Sequence, residues 1–333
     1  MPPYTLPFEK PILELEEKLR ELRLFSESQD IDVSAEIQLI EEKTRAVRKN
    51  IYAELTPWQK VQVARHPLRP YTRDYIDGMT SDFLELHGDR LHADDRAIVG
   101  GLATLDTHRV VLIGTQKGRD TKSNLECNFG CAYPEGYRKA LRLMRLAAKF
   151  HLPIVTLIDT PGAYPGIVSE ERHIAEAIAV NLREMFTLPV PIVVCIIGEG
   201  GSGGALGIGI GDRVLILEHA YYSVISPEGC AAILWKDRSH APRAAQALKI
   251  SSKDLMEMKL ADEIVSEPEG GAHTNHAEMA ATLKAALIRN LEDLQSMSPD
   301  ELLNARYAKF RSMGVFQEET LQAAVTEDLS TPG

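Results

Sequence analysis

The sequence I-I-G-E-G-G-S-G-G-A occupies residues Ile196 to Ala205. An apolar strand leads there into five glycines within seven positions, and the chain then becomes helical again. Because glycine costs stability where a side chain would be tolerated, such a cluster indicates backbone approaches that a Cβ would block. Amides at the start of a helix favour a negative oxygen. The pattern predicts an active-centre loop, with Gly200 and Gly201 as oxyanion donors. Close packing of a helix on a sheet is the alternative.

Other glycine-containing motifs fit this loop less well. Gly198, Gly200 and Gly203 match the dinucleotide pattern G-x-G-x-x-G, and Glu218 stands near the distance of a ribose-binding acid, but the strand comes late in the chain. No lysine follows the glycines as in a phosphate-binding G-x-x-x-x-G-K-[ST] loop. Ser202 matches the nucleophile pattern G-x-S-x-G, but nothing orients a histidine and an acid toward it. Helix capping is the favoured role for this serine.

Composition limits the partners that the chain can bind. The formal net charge is −11, and a negative field opposes general affinity for nucleic acid or an anionic membrane. No run approaches roughly eighteen apolar residues, and the start M-P-P-Y-T-L-P-F-E-K lacks the pattern of a signal peptide. A soluble, cytoplasmic protein is therefore expected. The four cysteines and ten histidines show no metal-ligand spacing, which predicts reduced thiols and no metal site.

Two amphipathic segments at the N-terminus predict an antiparallel helical hairpin. Apolar residues recur among charged ones, with a polar break at residues 26–32. The recurring positions are Ile12, Leu15, Leu19 and Leu22, then Ile37, Ile40, Val47 and Ile51. This seam can bind a partner chain or pack on its own core. Prolines then mark a connector, so we divide the chain into a hairpin with its connector (1–70), a main core (71–270) and a C-terminal helical extension (271–333).

A succession of strands, loops and helices follows from Ala97. Two β-rich runs joined by D-T-H-R predict a hairpin. Repeated strand, loop and helix units then predict a parallel sheet whose loops meet at one edge. The predicted strands are 154–158, 191–197, 214–217, 222–225 and 261–267, and the predicted helices are 137–150, 170–186, 277–293, one from Ser202 and one from Pro227. Two glycine-bearing loops should therefore converge on one pocket.

The first of these loops reads D-T-P-G-A-Y-P-G from Asp159 to Gly166. Prolines and glycines make it stiff and sharply turned, which suits a pocket wall. The candidate substrate-binding residues are Gly162, Ala163, Tyr164, Pro165 and Gly166, with Ser202 on the second loop and Lys117 and Arg119 just after a strand. The Tyr164 hydroxyl can donate to a ligand, or the ring can pack under the loop. A basic stripe, Arg138, Arg142, Arg145 and Lys149, indicates a phosphorylated ligand, an acidic partner or a solvated face.

Longer motifs run through nearly the whole chain. They are F-E-K-P-I-L-E-L-E at Phe8, A-R-H-P-L-R-P-Y-T at Ala64, A-I-V-G-G at Ala97, Q-K-G-R at Gln116, P-E-G-Y-R-K-A-L-R-L-M at Pro134, I-D-T-P-G-A-Y-P-G at Ile158, I-G-E-G-G-S-G-G-A-L at Ile197, Y-S-V-I-S-P-E-G-C-A at Tyr222 and E-P-E-G-G-A-H at Glu267. In this order they resemble the alpha subunit of the bacterial and plastid-type acetyl-coenzyme A carboxylase carboxyltransferase.

That resemblance implies a crotonase-like α/β fold of repeated β-β-α units. It also implies a role in the first committed step of fatty acid synthesis: transfer of a carboxyl group from carboxybiotin to acetyl-coenzyme A, which gives malonyl-coenzyme A. The implied partners are a beta subunit with a zinc ribbon, in an α2β2 assembly, a biotin carboxyl carrier protein and a biotin carboxylase that uses ATP. Biotin is attached to the carrier and zinc to the beta subunit, so neither is expected on this chain.

The resemblance also implies roles for particular residues. The amides of Gly200 and Gly201 would stabilise charge on the ureido oxygen of biotin, and the beta subunit would supply a second oxyanion hole. Glu126 and Cys127 depart from the family, which tends to be basic there, and His173 stands where a smaller residue is expected. A self-sufficient hydratase or hydrolase of coenzyme A thioesters is a rival, for which only Glu199 and Glu228 lie near the loops. A helical assembly protein without catalysis is another.

Overall fold

A central sheet organises the chain, of which the computed structural model describes residues 4–29 and 33–315. Its strands are β1 Phe83–Glu85, β2 Ile98–Leu105, β3 His108–Thr115, β4 Ile154–Thr160, β5 Ile192–Gly201, β6 Arg213–Leu217, β7 Tyr221–Ser223 and β8 Glu263–Val265. Their order across the sheet is β1-β2-β3-β4-β5-β6-β8, and β7 pairs with the end of β5. The sheet therefore brings the ends of β4, β5 and β7 together.

Helices cover the sheet and extend beyond both of its ends. They are α1 Lys10–Gln29, α2 Ser34–Ala53, α3 Pro57–Ala64, α4 Thr72–Met79, α5 Thr121–Glu126, α6 Pro134–Lys149, α7 Ile167–Glu171, α8 Ile174–Met185, α9 Ser202–Leu206, α10 Pro227–Trp235, α11 Ala241–Leu248, α12 Ser252–Glu257, α13 His276–Gln295 and α14 Pro299–Arg311. Within the described residues, no helix combines the length and the apolar character that crossing a membrane requires.

The sheet confirms the predicted strand pairing. β2 and β3 form the antiparallel hairpin, and β3, β4, β5, β6 and β8 run parallel to their neighbours. Every residue of β4 and β5 is buried, as expected for strands covered by helices on both faces. The predicted helix at 137–150 begins slightly earlier, at Pro134, because proline is well accommodated in a first helical turn.

Several predicted boundaries are wrong. The loop predicted from Asp159 starts later, because β4 continues through Thr160. The segment 170–186 is not one helix: α7 ends at Glu171, and α8 starts at Ile174 after His173, whose φ of 64° breaks the helix. The chain from Gly198 to Gly201 is also not a loop, since β5 continues through these residues. Glycine lowers strand propensity, but pairing with β4 and β7 outweighs that preference here.

The N-terminal helical hairpin is confirmed. α1 and α2 lie side by side, joined by ion pairs between Arg23 and Glu41 and between Arg48 and Glu16. The hairpin packs on its own core through a small cluster of buried apolar residues, namely Ile12, Tyr52, Leu55 and Val63. The predicted division at residues 70 and 270 remains a prediction, and the end of the C-terminal part, from residue 316, lies outside the described residues.

A stacked pair of histidines lies where the hairpin meets the core. The rings of His66 and His273 are stacked, with centroids 3.8 Å apart and planes inclined by 23°. Burial, followed by repulsion from His66 and Arg69, lowers the pKa of His273 to about 3. Glu267 opposes this shift, and the nearby His219 adds to it. His273 is therefore neutral in the folded protein at pH 7.

We expect this histidine to make the folded state less stable in acid. The unfolded chain binds the proton with a pKa of about 6.5, whereas the folded chain does not until about pH 3. The free energy of unfolding is therefore not reduced by His273 above pH 6.5. It declines as the pH falls toward 3, by at most about 1.4 kcal/mol per pH unit. Urea unfolding at pH 7, 6 and 5 measures this decline in the free energy of unfolding. His273→Gln should flatten the dependence, and an unchanged slope would contradict the assignment.

The C-terminal helix α14 is fixed to the core by a buried arginine. Arg306 donates two hydrogen bonds to the carboxylate of Asp212, at 2.8 and 2.7 Å. The same guanidinium donates to the carbonyl oxygens of Met185, Leu188 and Val190. The Met185 carbonyl lies at the end of α8, and the other two come just after that helix. α14 therefore holds the end of α8 against the start of β6.

Candidate active site

The two predicted loops do converge on one cavity, of about 400 Å³. One wall is the loop after β4, and the other is the start of α9 with the chain after β7. α8 closes the base with apolar side chains. The lining residues are Pro161, Gly162, Ala163, Tyr164, Pro165, Ile174, Ala175, Ile178, Ser202, Gly203, Val224, Ile225 and Ser226. A largely apolar cleft with a few polar groups is the usual form of a small-molecule site.

Ser202 and Gly203 carry the second loop into this cavity. Ser202 is the first residue of α9 and has a φ of 49°, a conformation that non-glycine residues seldom adopt and that occurs often at functional sites. The favoured capping role is wrong, because Gly201 is the N-cap and no side chain caps the helix. Within the described residues, the Ser202 hydroxyl forms no hydrogen bond to a histidine, so no nucleophilic triad is assembled there.

The predicted donors Gly200 and Gly201 lie just behind the cavity wall, in the last residues of β5. Gly200 aligns with Thr160 of β4 and with Tyr222 of β7. A Cβ on Gly201 would lie 2.2 Å from the carbonyl oxygen of Pro161, so only glycine permits this approach of the two chains. Close packing therefore explains Gly201, and the role of its amide as an oxyanion donor remains a prediction.

The loop after β4 is held by its own hydrogen bonds. The Thr160 hydroxyl donates to the carbonyl oxygens of Gly130 and Gly162 and accepts from the Gly162 amide. The Tyr164 amide donates to Ala132, and the Tyr164 ring contacts the Tyr133 ring at 4.8 Å between centroids. The Tyr164 hydroxyl makes no hydrogen bond within the described residues, so it is available to a ligand.

The other candidate residues of this loop share the same wall. Gly162, Ala163 and Pro165 line the cavity beside Tyr164. Gly166 does not line it but serves as the N-cap of α7, with its carbonyl accepting from the Ser169 amide. The loop is thus a preformed surface, and its contacts with substrate remain predictions.

A buried ion network lies directly behind the two loops. The ammonium group of Lys117 donates to Asp159 at 2.6 Å and to Glu199 at 2.8 Å. Asp159 also accepts from the Glu199 amide at 2.9 Å. Because Asp159 is near the end of β4 and Glu199 near the end of β5, Lys117 joins the two strands that carry the loops.

Arg65 completes this network from the N-terminal part of the chain. Its guanidinium donates to Glu199 at 2.6 Å and to Glu228 at 2.5 Å, and the Tyr221 hydroxyl donates to Glu199. Burial would raise the pKa of Glu199, but Lys117 and Arg65 outweigh burial and lower it to about 2. Burial would likewise lower the pKa of Lys117, but Asp159 and Glu199 hold it above its usual value. Glu199, Lys117 and Arg65 are therefore charged at neutral pH.

Lys117 and Arg119 do not line the cavity. Lys117 belongs to the network, and the guanidinium of Arg119 is bound by Asp74 and by the carbonyl oxygens of Pro67 and Arg69. Their predicted contact with substrate remains a prediction. In the described residues, no group of three histidine, cysteine, aspartate or glutamate side chains lies close enough to hold a metal ion.

Sequence reasoning did not assign a role to Arg65. Its partners Glu199 and Glu228 lie 134 and 163 positions away, so no local pattern reveals the contact. The available signal was the motif A-R-H-P-L-R-P-Y-T, which places two arginines beside prolines in an otherwise acidic chain.

Among the solved structures that resemble this chain are transcarboxylase 12S and a Pseudomonas malonate decarboxylase. Transcarboxylase 12S matches 68% of this chain with a TM-score of 0.56 at 18% identity, and this chain spans 42% of that protein. A Pseudomonas malonate decarboxylase hetero-tetramer matches 66% of this chain and 90% of its own, with a TM-score of 0.54 at 14% identity. At these identities the likeness concerns the fold, and it confirms the crotonase-like prediction.

The sequence comparisons concern the whole chain. Residues 5–314 match the family described as acetyl co-enzyme A carboxylase carboxyltransferase-like. Proteins named acetyl-coenzyme A carboxylase carboxyl transferase subunit alpha are 54% identical in Synechococcus elongatus, over 96% of this chain and 97% of that protein, and 55% identical in Thermus thermophilus, over 94% and 99%. The one from Methylococcus capsulatus is 57% identical, over 94% and 98%. The chain therefore belongs to the alpha-subunit family of acetyl-coenzyme A carboxylase carboxyltransferase.

Proposed function

We propose that this chain is one half of a carboxyltransferase that moves a carboxyl group from carboxybiotin, carried by another protein, to acetyl-coenzyme A. The product is malonyl-coenzyme A. Family membership supports the reaction. We assign the reaction to the cavity where the loop after β4 meets the start of α9, and this cavity is the main structural support for the proposal.

The cavity suits a ligand with apolar rings and one polar oxygen. Ile174, Ile178 and Val224 supply apolar contact, while Ser202 and Gly203 lie at the start of a helix. Carboxybiotin supplies the activated carboxyl group, and transfer leaves negative charge on its ureido oxygen. Backbone donors aimed at such an oxygen stabilise it without any side-chain proton transfer. We assign this role to the β5–α9 junction, with Gly200 and Gly201 as the first candidates.

Exposed apolar side chains lie at the cavity and on α7 and α10, the helices that follow its lining segments along the chain, and they support a docked partner chain. Ile167 is 78% exposed and Val224 is 77% exposed, and Ile233 and Leu234 on α10 are each 63% exposed. Apolar surface of this kind marks interaction sites. We propose that a zinc-bearing beta subunit covers it in an α2β2 assembly and completes the site with a second oxyanion hole. The biotin carboxyl carrier protein and an ATP-using biotin carboxylase would act in the same system.

A cytoplasmic location is part of this proposal. The cysteines at 127, 131, 195 and 230 are all free thiols. Free thiols are typical of a reducing compartment. The location is tested by fractionating cells that produce the full chain.

The charged network speaks against the rival hydratase. Addition of water to a thioester would need a carboxyl group able to give and take a proton near the substrate. Glu199 has its pKa lowered to about 2 and accepts from Lys117, Arg65 and Tyr221. Glu228 is held by Arg65. Neither carboxylate lines the cavity.

Assay of the full chain with and without a beta subunit tests the function. We expect malonyl-coenzyme A to form from carboxybiotin and acetyl-coenzyme A only in the mixture. Hydration or hydrolysis by the chain alone would favour the self-sufficient enzyme. Assembly with the beta subunit but no transfer would favour a purely structural role. Either result contradicts the proposal.

A further inference from the structure

A second cavity, of about 470 Å³, lies on the opposite side of α8 from the catalytic cavity. Ile174 and Ile178 face the catalytic cavity, whereas Ala177, Val180 and Asn181 face the second one. The remaining walls are the loop that precedes β2 and one face of α6. They contribute Asp89, Arg90, Leu91, Arg138, Leu141, Arg142 and Arg145, and α8 adds Glu176. Its volume is in the range of small-molecule sites.

Two of the four arginines in this cavity are neutralised by carboxylates. Arg138 donates to Asp89 at 2.8 Å, and Arg145 donates to Glu184 at 2.9 Å. Both oxygens of Asp89 already accept hydrogen bonds, because the oxygen not bound by Arg138 accepts from three backbone amides of the same loop. Each of these two ion pairs is joined by hydrogen bonds and carries no net charge.

The other two arginines bind no carboxylate of the described residues. Arg90 donates to the carbonyl oxygen of His87 at 2.9 Å. Arg142 donates to the carbonyl oxygens of Gly88 at 3.0 Å and His87 at 3.2 Å. Burial, and then the nearby Arg90 guanidinium, hold the pKa of Arg142 below its usual value. One exposed acid, Glu176, stands at the rim, so the cavity carries an excess positive charge in a protein of net charge −11.

Asn181 lines the same cavity and has an unused hydrogen-bond acceptor. The side chain is fully buried, and its Nδ2 donates to the carbonyl oxygens of Tyr137 and Gly207. Its Oδ1 is buried without a partner. An acceptor left unpaired is unfavourable, so a hydroxyl or N–H donor that reached it from the cavity would be stabilising.

We propose that this cavity binds a small phosphorylated molecule, whose phosphate oxygens contact Arg90 and Arg142 and whose hydroxyl or N–H group donates to Asn181. Guanidinium groups match phosphate oxygens in geometry as well as in charge. Because Asn181 also binds Gly207 at the end of α9, the ligand would touch a residue that holds the catalytic helix in place. Phosphate binding to this cavity can be tested without the carboxyl-transfer reaction, whereas the identity of the natural ligand rests in part on the proposed function.

Calorimetric titration of the full chain with inorganic pyrophosphate tests the arginine part of the site. We expect one molecule to bind per chain, with an affinity that falls as potassium chloride is raised, since salt screens exposed charge. Arg142→Met should weaken binding about tenfold or more. Arg90→Met should weaken it as well, and this exposed side chain can be changed with little effect on the fold.

Arg20→Met is the matched control. It removes the same charge from an exposed position on α1, where Arg20 pairs with Glu17 far from any cavity arginine. It should bind pyrophosphate as the parent protein does. Absence of pyrophosphate binding to the parent chain would overturn the proposal. So would equal binding by the parent and Arg90→Met.

Kinetics of the assembled enzyme then identify the source of the phosphate. Pyrophosphate that raises the KM for acetyl-coenzyme A without changing kcat indicates that the cavity holds the phosphates of coenzyme A. Pyrophosphate that binds without changing this KM indicates a separate phosphorylated ligand. Both results support a phosphate site, and they distinguish its two possible occupants.

Discussion

Gly201→Val is expected to abolish carboxyl transfer. The added Cβ would lie 2.2 Å from the carbonyl oxygen of Pro161 and 2.8 Å from that of Thr160. Both are backbone atoms where β4 passes into the following loop, so no flexible side chain can move aside. The two cavity walls must separate, and a displacement of about 1 Å costs roughly a hundredfold in rate. The rate of malonyl-coenzyme A formation by the assembled enzyme measures this loss of carboxyl transfer.

Gly203→Ala is the matched comparison. A Cβ on Gly203 would have Ile178 Cδ1, at 3.6 Å, as its nearest neighbour, which is an ordinary contact. The methyl group enters the cavity without disturbing the fold, so we expect slower transfer at an unchanged melting temperature. Normal turnover in Gly203→Ala would show that this side of the cavity is not used.

Assembly of Gly201→Val with the beta subunit distinguishes a local change at the cavity from a loss of the whole fold. This variant is expected to keep its partner, because the added Cβ contacts Pro161 and Thr160 and none of the exposed apolar residues Ile167, Ile233 and Leu234. The contact with Pro161 adds an overpacking cost, which is typically about 1–3 kcal/mol. Size-exclusion chromatography with the beta subunit should still show the complex. Near-normal transfer by Gly201→Val would contradict the importance of this junction.

The sequence predicted those parts of the fold in which one local signal dominates. The strands from Ile154 and Ile192 are continuous apolar runs, and helix α6 has a clear apolar face, so each was recognised. The boundaries failed where tertiary pairing opposed local preference. Gly198 to Gly201 lie in a strand because β4 and β7 pair with them, and His173 interrupts a helix through its left-handed conformation.

The candidate site was predicted in part. Convergence of two loops follows from parallel strands, because their carboxyl ends meet at one edge of a sheet. The ion network could not be predicted in the same way, since Lys117 lies 82 positions from Glu199 and Arg65 lies 134 positions from it. The position of Lys117 after a strand predicted a ligand contact, and the structure places its ammonium group between two carboxylates.

Lys117→Met is expected to destabilise the folded chain by about 3–5 kcal/mol, because a buried ion pair that loses one partner leaves an uncompensated charge. Here two carboxylates, Asp159 and Glu199, would remain in a buried position, with Arg65 still beside Glu199. Urea unfolding at pH 7 measures the loss. Lys10→Met, at an 80% exposed side chain, is the control and should change stability by less than about 0.5 kcal/mol.

The pH dependence of this loss identifies its cause. In the parent chain, the pKa of Glu199 is about 2 when folded and about 4.5 when unfolded, so its stabilising contribution is complete above pH 4.5 and is lost as the pH falls through 2. Without the ammonium group, protonation of the carboxylates relieves the repulsion, so the deficit of Lys117→Met should shrink as the pH falls from 7 toward 4. Glu199→Gln added to Lys117→Met should likewise recover part of the loss. A deficit that is equal at both pH values, and that Glu199→Gln does not reduce, would mean that Lys117 contributes through the packing of its methylene groups and not through its charge.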